Sequence, residues 1–376
     1  MTRHLQEFIN TKSVIDFSIA LSTLDVFSGP LKNRLKITFL TISNVSFLYL
    51  LFSHIKKSIG AQFDVNFMWT FLMWILLNNY LVIMILNAFK RKKFHRLMQN
   101  IQEMFEDQED DEDLEGILAN NLQFFLKTFF SIDRWEKRLG FLLVSTRCLI
   151  FRFNHDYGLI ADFSLISWNN VLWREIQFML QHSLFACISY TVLTMNLGIT
   201  FMGLAVIAEI NILNDYMKLL NEKIKTDQKF LRKIIKKHCS VIENVNLLNE
   251  IISESSFLQL FANCVVFLFG FSFLMKNPST FINYSIVVTG TMLSLHICIL
   301  GHFIKLKTDQ LSDILYLTNW YELSLKDQKM FLIVLGMAQR EYGLKAVGMY
   351  DVNLYTFVQI FKVAFSYCAV LYSLSQ

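Results

Sequence analysis

Residues 352–374 form an otherwise apolar stretch that carries Gln359, Lys362, Ser366 and Ser373. At about 100° per residue on an α-helix, these four fall with Ala369 and Val370 within about one third of the circumference. Phe357, Ile360, Phe361, Phe365 and Leu371 take most of the remainder. A lysine in mid-span costs about 3 kcal/mol or more when it faces lipid, so the stripe must meet protein or water. Two arrangements satisfy it. In one, the stripe packs against neighbouring helices, with Lys362 snorkelling or ion-paired. In the other it lines an aqueous pore, the small hydroxyls along the path and Val370 with Leu374 forming an apolar constriction that gates by dewetting. The pattern alone leaves both open.

Other reactive types are scattered. There is no Walker loop, no G-x-S-x-G, no H-E-x-x-H and no pair of intramembrane carboxylates, so enzyme and pump chemistry lack residues to carry them. His182, His296 and His302 stand singly, without a carboxylate or cysteine at ligand spacing, and the six cysteines form no C-x-x-C. No metal, cofactor or disulfide framework is expected. Arg147 is an intramembrane charge and hence a functional candidate, unless it pairs with a carboxylate or snorkels. The outward halves of four apolar runs hold Phe71, Trp74, Cys148, Phe151, Met179, His182, Phe185, Tyr284, Val288 and Thr291. Together they suit an aromatic cavity for a small, mostly apolar molecule; singly, each also suits ordinary helix packing.

The elements that must position these residues are membrane helices. Of 376 residues 54% are hydrophobic and 18% charged, with 36 Phe and 15 Met, a composition that a soluble surface does not tolerate. Seven apolar runs occur at about 37–52, 67–89, 139–153, 176–207, 257–275, 281–304 and 352–374. They lack strand alternation, and the chain has only 13 Gly and 2 Pro, so helices and not barrel strands are predicted. Pro30 and Pro278 lie outside the runs, which leaves the spans without the proline bends usual in G-protein-coupled receptors. Lys and Arg cluster before the first run, after the second, before the third, and after the fourth and sixth. The positive-inside rule therefore puts the N-terminus in the cytosol and the C-terminus outside, and residues 1–30 contain no cleavable signal.

Two polar segments stand out. Residues 106–115, EDQEDDEDLE, read as a solvated acidic stretch. Ser324 followed by Asp327 reads as a helix cap, with Met330, Phe331, Val334, Leu335 and Ala338 forming an apolar stripe outside the bilayer. That stripe either packs on the chain's own long fourth and sixth spans or forms a subunit interface. The chain thus divides into a cytoplasmic segment 1–34, a six-helix region 35–305, a cytoplasmic anchor region 306–350 and a last span 351–376.

The C-terminal run GHFIKLKTDQLSDILYLTNWYELSLKDQKMFLIVLGMAQ, followed by VNLYTFVQIFKVAFSYCAVLYS, resembles the signature region of insect odorant receptors. The matching landmarks are Gly301, Trp320-Tyr321-Glu322-Leu323-Ser324, Thr356-Phe357 and Ser366-Tyr367, with His238 as a further one upstream. The resemblance implies a seven-helix subunit of a tetrameric, odorant-gated, non-selective cation channel in the plasma membrane of olfactory neurons. Its last span would form the pore, with the gate at Val370 and Leu374, and Ser373 standing where the coreceptor has Gln. Trp320, Tyr321, Phe331 and Leu335 would belong to the subunit anchor. The short connection 223–253 lacks the coreceptor's insertion, so the resemblance is to an odorant-tuned subunit that assembles with a coreceptor. The usual prolines after the third span are missing from residues 159–168. A gustatory-type relative is the neighbouring alternative, although the last span lacks that family's closing Gln-Phe. A metabotropic receptor would require an extracellular N-terminus.

Overall fold

The computed structural model describes residues 3–59, 65–153, 171–223, 229–276 and 281–375. In chain order the helices are α1 (Arg3–Ser22), α2 (Leu31–Ser58), α3 (Val65–Phe89), α4 (Arg91–Glu106), α5 (Glu112–Phe153) and α6 (Val171–Lys218). They continue with α7 (Leu220–Lys223), α8 (Phe230–Lys276), α9 (Phe281–Tyr316), α10 (Leu325–Ala338) and α11 (Leu354–Ser375). A 3-10 turn at Trp320–Glu322 precedes α10, and a small antiparallel hairpin, β1 (Lys345–Ala346) with β2 (Tyr350–Asp351), precedes α11. Six of the seven apolar runs lie within helices, and the last does so from Leu354 onward. Five helices are, on the described residues, both long and apolar enough to cross a bilayer: Leu31–Ser58, Trp69–Phe89, Val171–Lys218, Phe230–Met275 and Leu354–Leu374.

Helix length explains the architecture. At about 1.5 Å per residue, the 48 residues of α6 and the 47 of α8 are more than twice the roughly 30 Å of hydrocarbon. Their surplus extends beyond the apolar segments, where α1, α4 and α5 pack around it. α6 is the central post, with 83% of its most apolar window buried. A cluster of rings holds the post: Phe8 stacks on Phe105 at 4.3 Å, while Phe125 and Phe129 meet Phe201 at 5.1 and 5.0 Å. Each buried ring of this size withdraws about 150 Å² or more from water.

The segment before the first apolar run is itself packed against the bundle. In α1 the spacing of Phe8, Ile15 and Ile19 puts one apolar stripe against α6, and all three are buried. Beyond the helix, Asp25 accepts hydrogen bonds from the amides of Phe27 and Ser28 and pairs with Arg91 at 3.3 Å. The turn into α2 is thereby fastened to α4.

The acidic stretch is only partly solvated. Glu109, whose side chain is 3% exposed, pairs with Lys233 and with Lys237, and accepts the Tyr216 hydroxyl at 2.9 Å. Asp111 pairs with Lys223 and accepts from the amides of Asp113 and Leu114, capping α5. Those contacts hold the Asp111 carboxyl below its usual range, the Lys223 ammonium being the leading cause. The segment is a clamp across the connection between α6 and α8, its charges matched to the lysines at the start of α8.

Candidate functional site

The last helix presents two unlike faces. On one, Ala364 and Cys368 are buried and Phe357, Ile360 and Phe361 pack beside them. Their partners are Phe267 and Phe271 of α8. Phe361 meets these rings edge-on at 5.3 and 5.0 Å, and Phe365 meets Phe271 at 5.4 Å. The Cys368 thiol lies 3.3 Å from the Leu268 carbonyl that accepts from it. Small residues at 364 and 368 let the backbones approach, and rings at 357, 361 and 365 interlock, which is how membrane helices pack without a hydrophobic driving force.

The opposite face carries the polar stripe. Lys362, Ser366 and Ser373 are exposed, Gln359 is half-buried, Val370 is 57% exposed and Leu374 is exposed. Ser373 donates to the carbonyl of Val370 at 2.8 Å, so its hydroxyl is satisfied within the helix. Lys362 has no carboxylate in salt-bridge reach among the described residues. Among the described residues, the fold therefore does not pack the stripe within the chain. Only 11% of this helix's most apolar window is buried, against 83% for α6.

The base of α11 is fixed by the hairpin. Lys345 and Val347 donate from their amides to the side chains of Asn249 and Ser253 on α8, at 2.6 and 2.9 Å. Lys305 of α9 pairs with Asp351 at 2.9 Å. Gly301 of α9 lies directly under the Val352 carbonyl, where an added Cβ would collide with backbone. Val347 and Gly348 turn the hairpin with φ of 51° and 70°. The last helix is thus tethered to α8 and α9 together.

The outer aromatic residues gather in part. Phe71 stacks on Trp74 at 6.2 Å, meets Phe269 of α8 at 6.2 Å, and Trp74 reaches Phe52 at 6.4 Å. These rings border a buried cluster of Phe47, Leu51, Trp69, Leu72 and Val266. His182 is half-buried, its Nδ1 2.9 Å from the Phe178 carbonyl and its ring 4.1 Å from the Phe178 ring. Phe185 is half-buried, and Thr291 bonds back to the Val287 carbonyl at 2.8 Å. Met179, Tyr284 and Val288 are exposed. The side chains of Arg147, Cys148 and Phe151 lie outside the described residues, as do residues 154–170.

In α10 the cap forms as its spacing predicts: Ser324 accepts from the Asp327 amide and donates to its carboxylate at 2.7 Å. The apolar stripe, however, turns inward. Phe331, Val334 and Ala338 are buried, Leu335 is half-buried, and Trp320 stacks on Phe331 at 6.3 Å, against α9 and α8. The fourth span contributes little here. What α10 leaves exposed is Leu325, Leu332 and Ile333, with Tyr321 beside them.

Two residues of α6 escaped the reading of the outer cavity. Gln177 and Gln181 are 1% and 3% exposed, four residues apart on one face of an apolar helix. That spacing was the available signal.

A family model described as 7tm Odorant receptor matches residues 62–365. Among solved structures, that of the insect olfactory receptor OR5 from Machilis hrabei in complex with eugenol matches with a TM-score of 0.74 at 10% identity, over 98% of this chain and 100% of that one. The structure of the same receptor described without eugenol gives 0.67 at 11% identity, over 97% and 99%. No curated protein matches. At these identities the structural likeness shows a shared fold.

Proposed function

The chain belongs to the 7tm odorant receptor family, and from that premise we propose that it is an odorant-tuned subunit of a ligand-gated cation channel. It crosses the plasma membrane of an olfactory neuron seven times, with its N-terminus in the cytosol. Four subunits, including a coreceptor, surround a pore built from α11 of each. A volatile binds among the outer halves of the helices near Phe71 and Trp74. Its higher affinity for the open state shifts a closed–open equilibrium at Val370 and Leu374.

The observation that carries this reading is the two-faced last helix. A membrane-length helix that packs on its own chain through Phe357, Phe361, Ala364 and Cys368 leaves Lys362, Ser366 and Ser373 on the far side. Lipid is a poor environment for that stripe. A water-filled axis between subunits supplies the polarity. α8 supports the coupling, because Phe269 touches the outer rings while Phe267 and Phe271 touch α11. A ligand that moves α8 therefore moves the wall against which α11 rests.

The test is whole-cell recording with G-protein signalling blocked, the chain expressed with and without a coreceptor. A fast cation current evoked by volatiles only in co-expressing cells is expected. A response abolished by the block would overturn the channel reading. Val370→Ala and Ser373→Gln are expected to change gating or permeation, and Trp74→Ala to shift the concentration dependence at unchanged unitary conductance.

A further inference from the structure

Gln177 stands in the outer half of α6 with 1% of its surface exposed, and neither its carboxamide oxygen nor its nitrogen reaches a partner among the described residues. A buried amide without a partner carries its full desolvation penalty, and in an apolar bundle no bulk water relieves it. Native structures keep few such groups, and those they keep call for a reason.

Its place in the helix supplies one. Gln177, Gln181, Leu184 and Ile188 follow the spacing of a single helical face. Leu184 and Ile188 pack against the cluster of Phe47, Trp69, Leu72 and Val266, beside which Trp74 lies. Gln177 is seven residues, or about 10 Å, nearer the outer end of the same face. The group is thus an open donor and acceptor at the rim of an aromatic wall, the combination of apolar lining and few polar contacts that orients small ligands. A carboxamide can donate to a carbonyl, or exchange either kind of bond with a hydroxyl.

We infer that Gln177 is the polar contact of the odorant site, selecting volatiles with one carbonyl or hydroxyl over hydrocarbons of the same shape. The inference rests on the receptor reading above. It adds the ligand class and the residue that reads it.

The test uses the full chain, purified with its coreceptor in lipid nanodiscs, and the near-isosteric variant Gln177→Met. Without ligand, the variant is expected to melt at the same temperature as the parent or higher, since an unpaired amide has been removed. A fall of several degrees would show that Gln177 is satisfied within the protein and would overturn the inference. Binding is then measured for matched pairs: acetophenone with α-methylstyrene, benzyl alcohol with ethylbenzene, and 2-heptanone with 2-methyl-1-heptene. In the parent, the oxygenated member of a bound pair is expected to bind about 5- to 10-fold more tightly, the value of one hydrogen bond, and Gln177→Met is expected to erase that ratio. Equal binding of both members by the parent, or an unchanged ratio in the variant, would overturn the role of Gln177 while leaving an odorant site intact. Failure of every oxygenated compound to bind the parent would overturn the inference, and the receptor reading would stand or fall by the recording described above.

Discussion

His238 has no exposed surface in α8, and neither ring nitrogen has a partner among the described residues. Burial pushes its pKa down to about 4 from an ordinary 6.5, so the native chain holds a neutral imidazole. The unfolded chain takes up the proton first. Stability from the neutral ring is therefore complete above about pH 6.5 and is lost progressively as pH falls toward 4, by about 3 kcal/mol if the full shift is realised. Melting of the purified chain should fall between pH 7 and pH 4.5, and His238→Leu should flatten that slope. An identical slope in the variant would place the acid sensitivity elsewhere. His238 was legible beforehand only as a landmark of the resemblance, because burial depends on how α8 meets its neighbours and not on the residues beside it in the chain. The same holds for Gln177, whose spacing with Gln181 was visible while its lack of partners among the described residues was not.

Among the elements, α11 was the most legible, because one helix writes its two faces in a single run of sequence. Its inner face makes a further expectation. Ala364 is fully buried against α8, so Ala364→Leu should overpack the contact at a cost of about 1–3 kcal/mol and reduce surface expression. Ser366→Leu, on the exposed face, should spare folding and alter conduction; equal losses of expression would contradict the assignment of faces. The acidic segment was the least legible. Ten residues of EDQEDDEDLE have the composition of solvent-facing chain, and only the fold brings Glu109 to Lys233 and Lys237. Glu109→Lys should destabilise the bundle formed by α5, α6 and α8 by about 3 kcal/mol, since it strands buried charge. Adding Lys233→Glu should recover part of that loss, and surface expression of the single and double variants reads both. The hairpin before α11 was also missed: strands of two residues carry no periodicity, and their position is set by Asn249, Ser253 and Lys305 on other helices.

At the scale of the molecule, burial is graded from the centre outward. α6 is enclosed, α2, α3 and α8 are partly covered, and α11 is nearly bare. On the proposed function, a chain built this way is finished by what surrounds it: lipid for its apolar flanks, other subunits and water for the polar side of α11. α10 leaves Leu325, Leu332 and Ile333 exposed, an apolar surface suited to contact with a partner. The central claim is that the polar face of α11 borders an aqueous ion path. Cysteine accessibility tests it most directly: Ser366→Cys, Ser373→Cys and, as a control on the face buried against α8, Ala364→Cys are each co-expressed with a coreceptor and treated with a charged thiol reagent during ligand-evoked current. The account predicts rapid modification and loss of current at 366 and 373 and little change at 364. Full current that persists at 366 and 373, with block at 364, would contradict it.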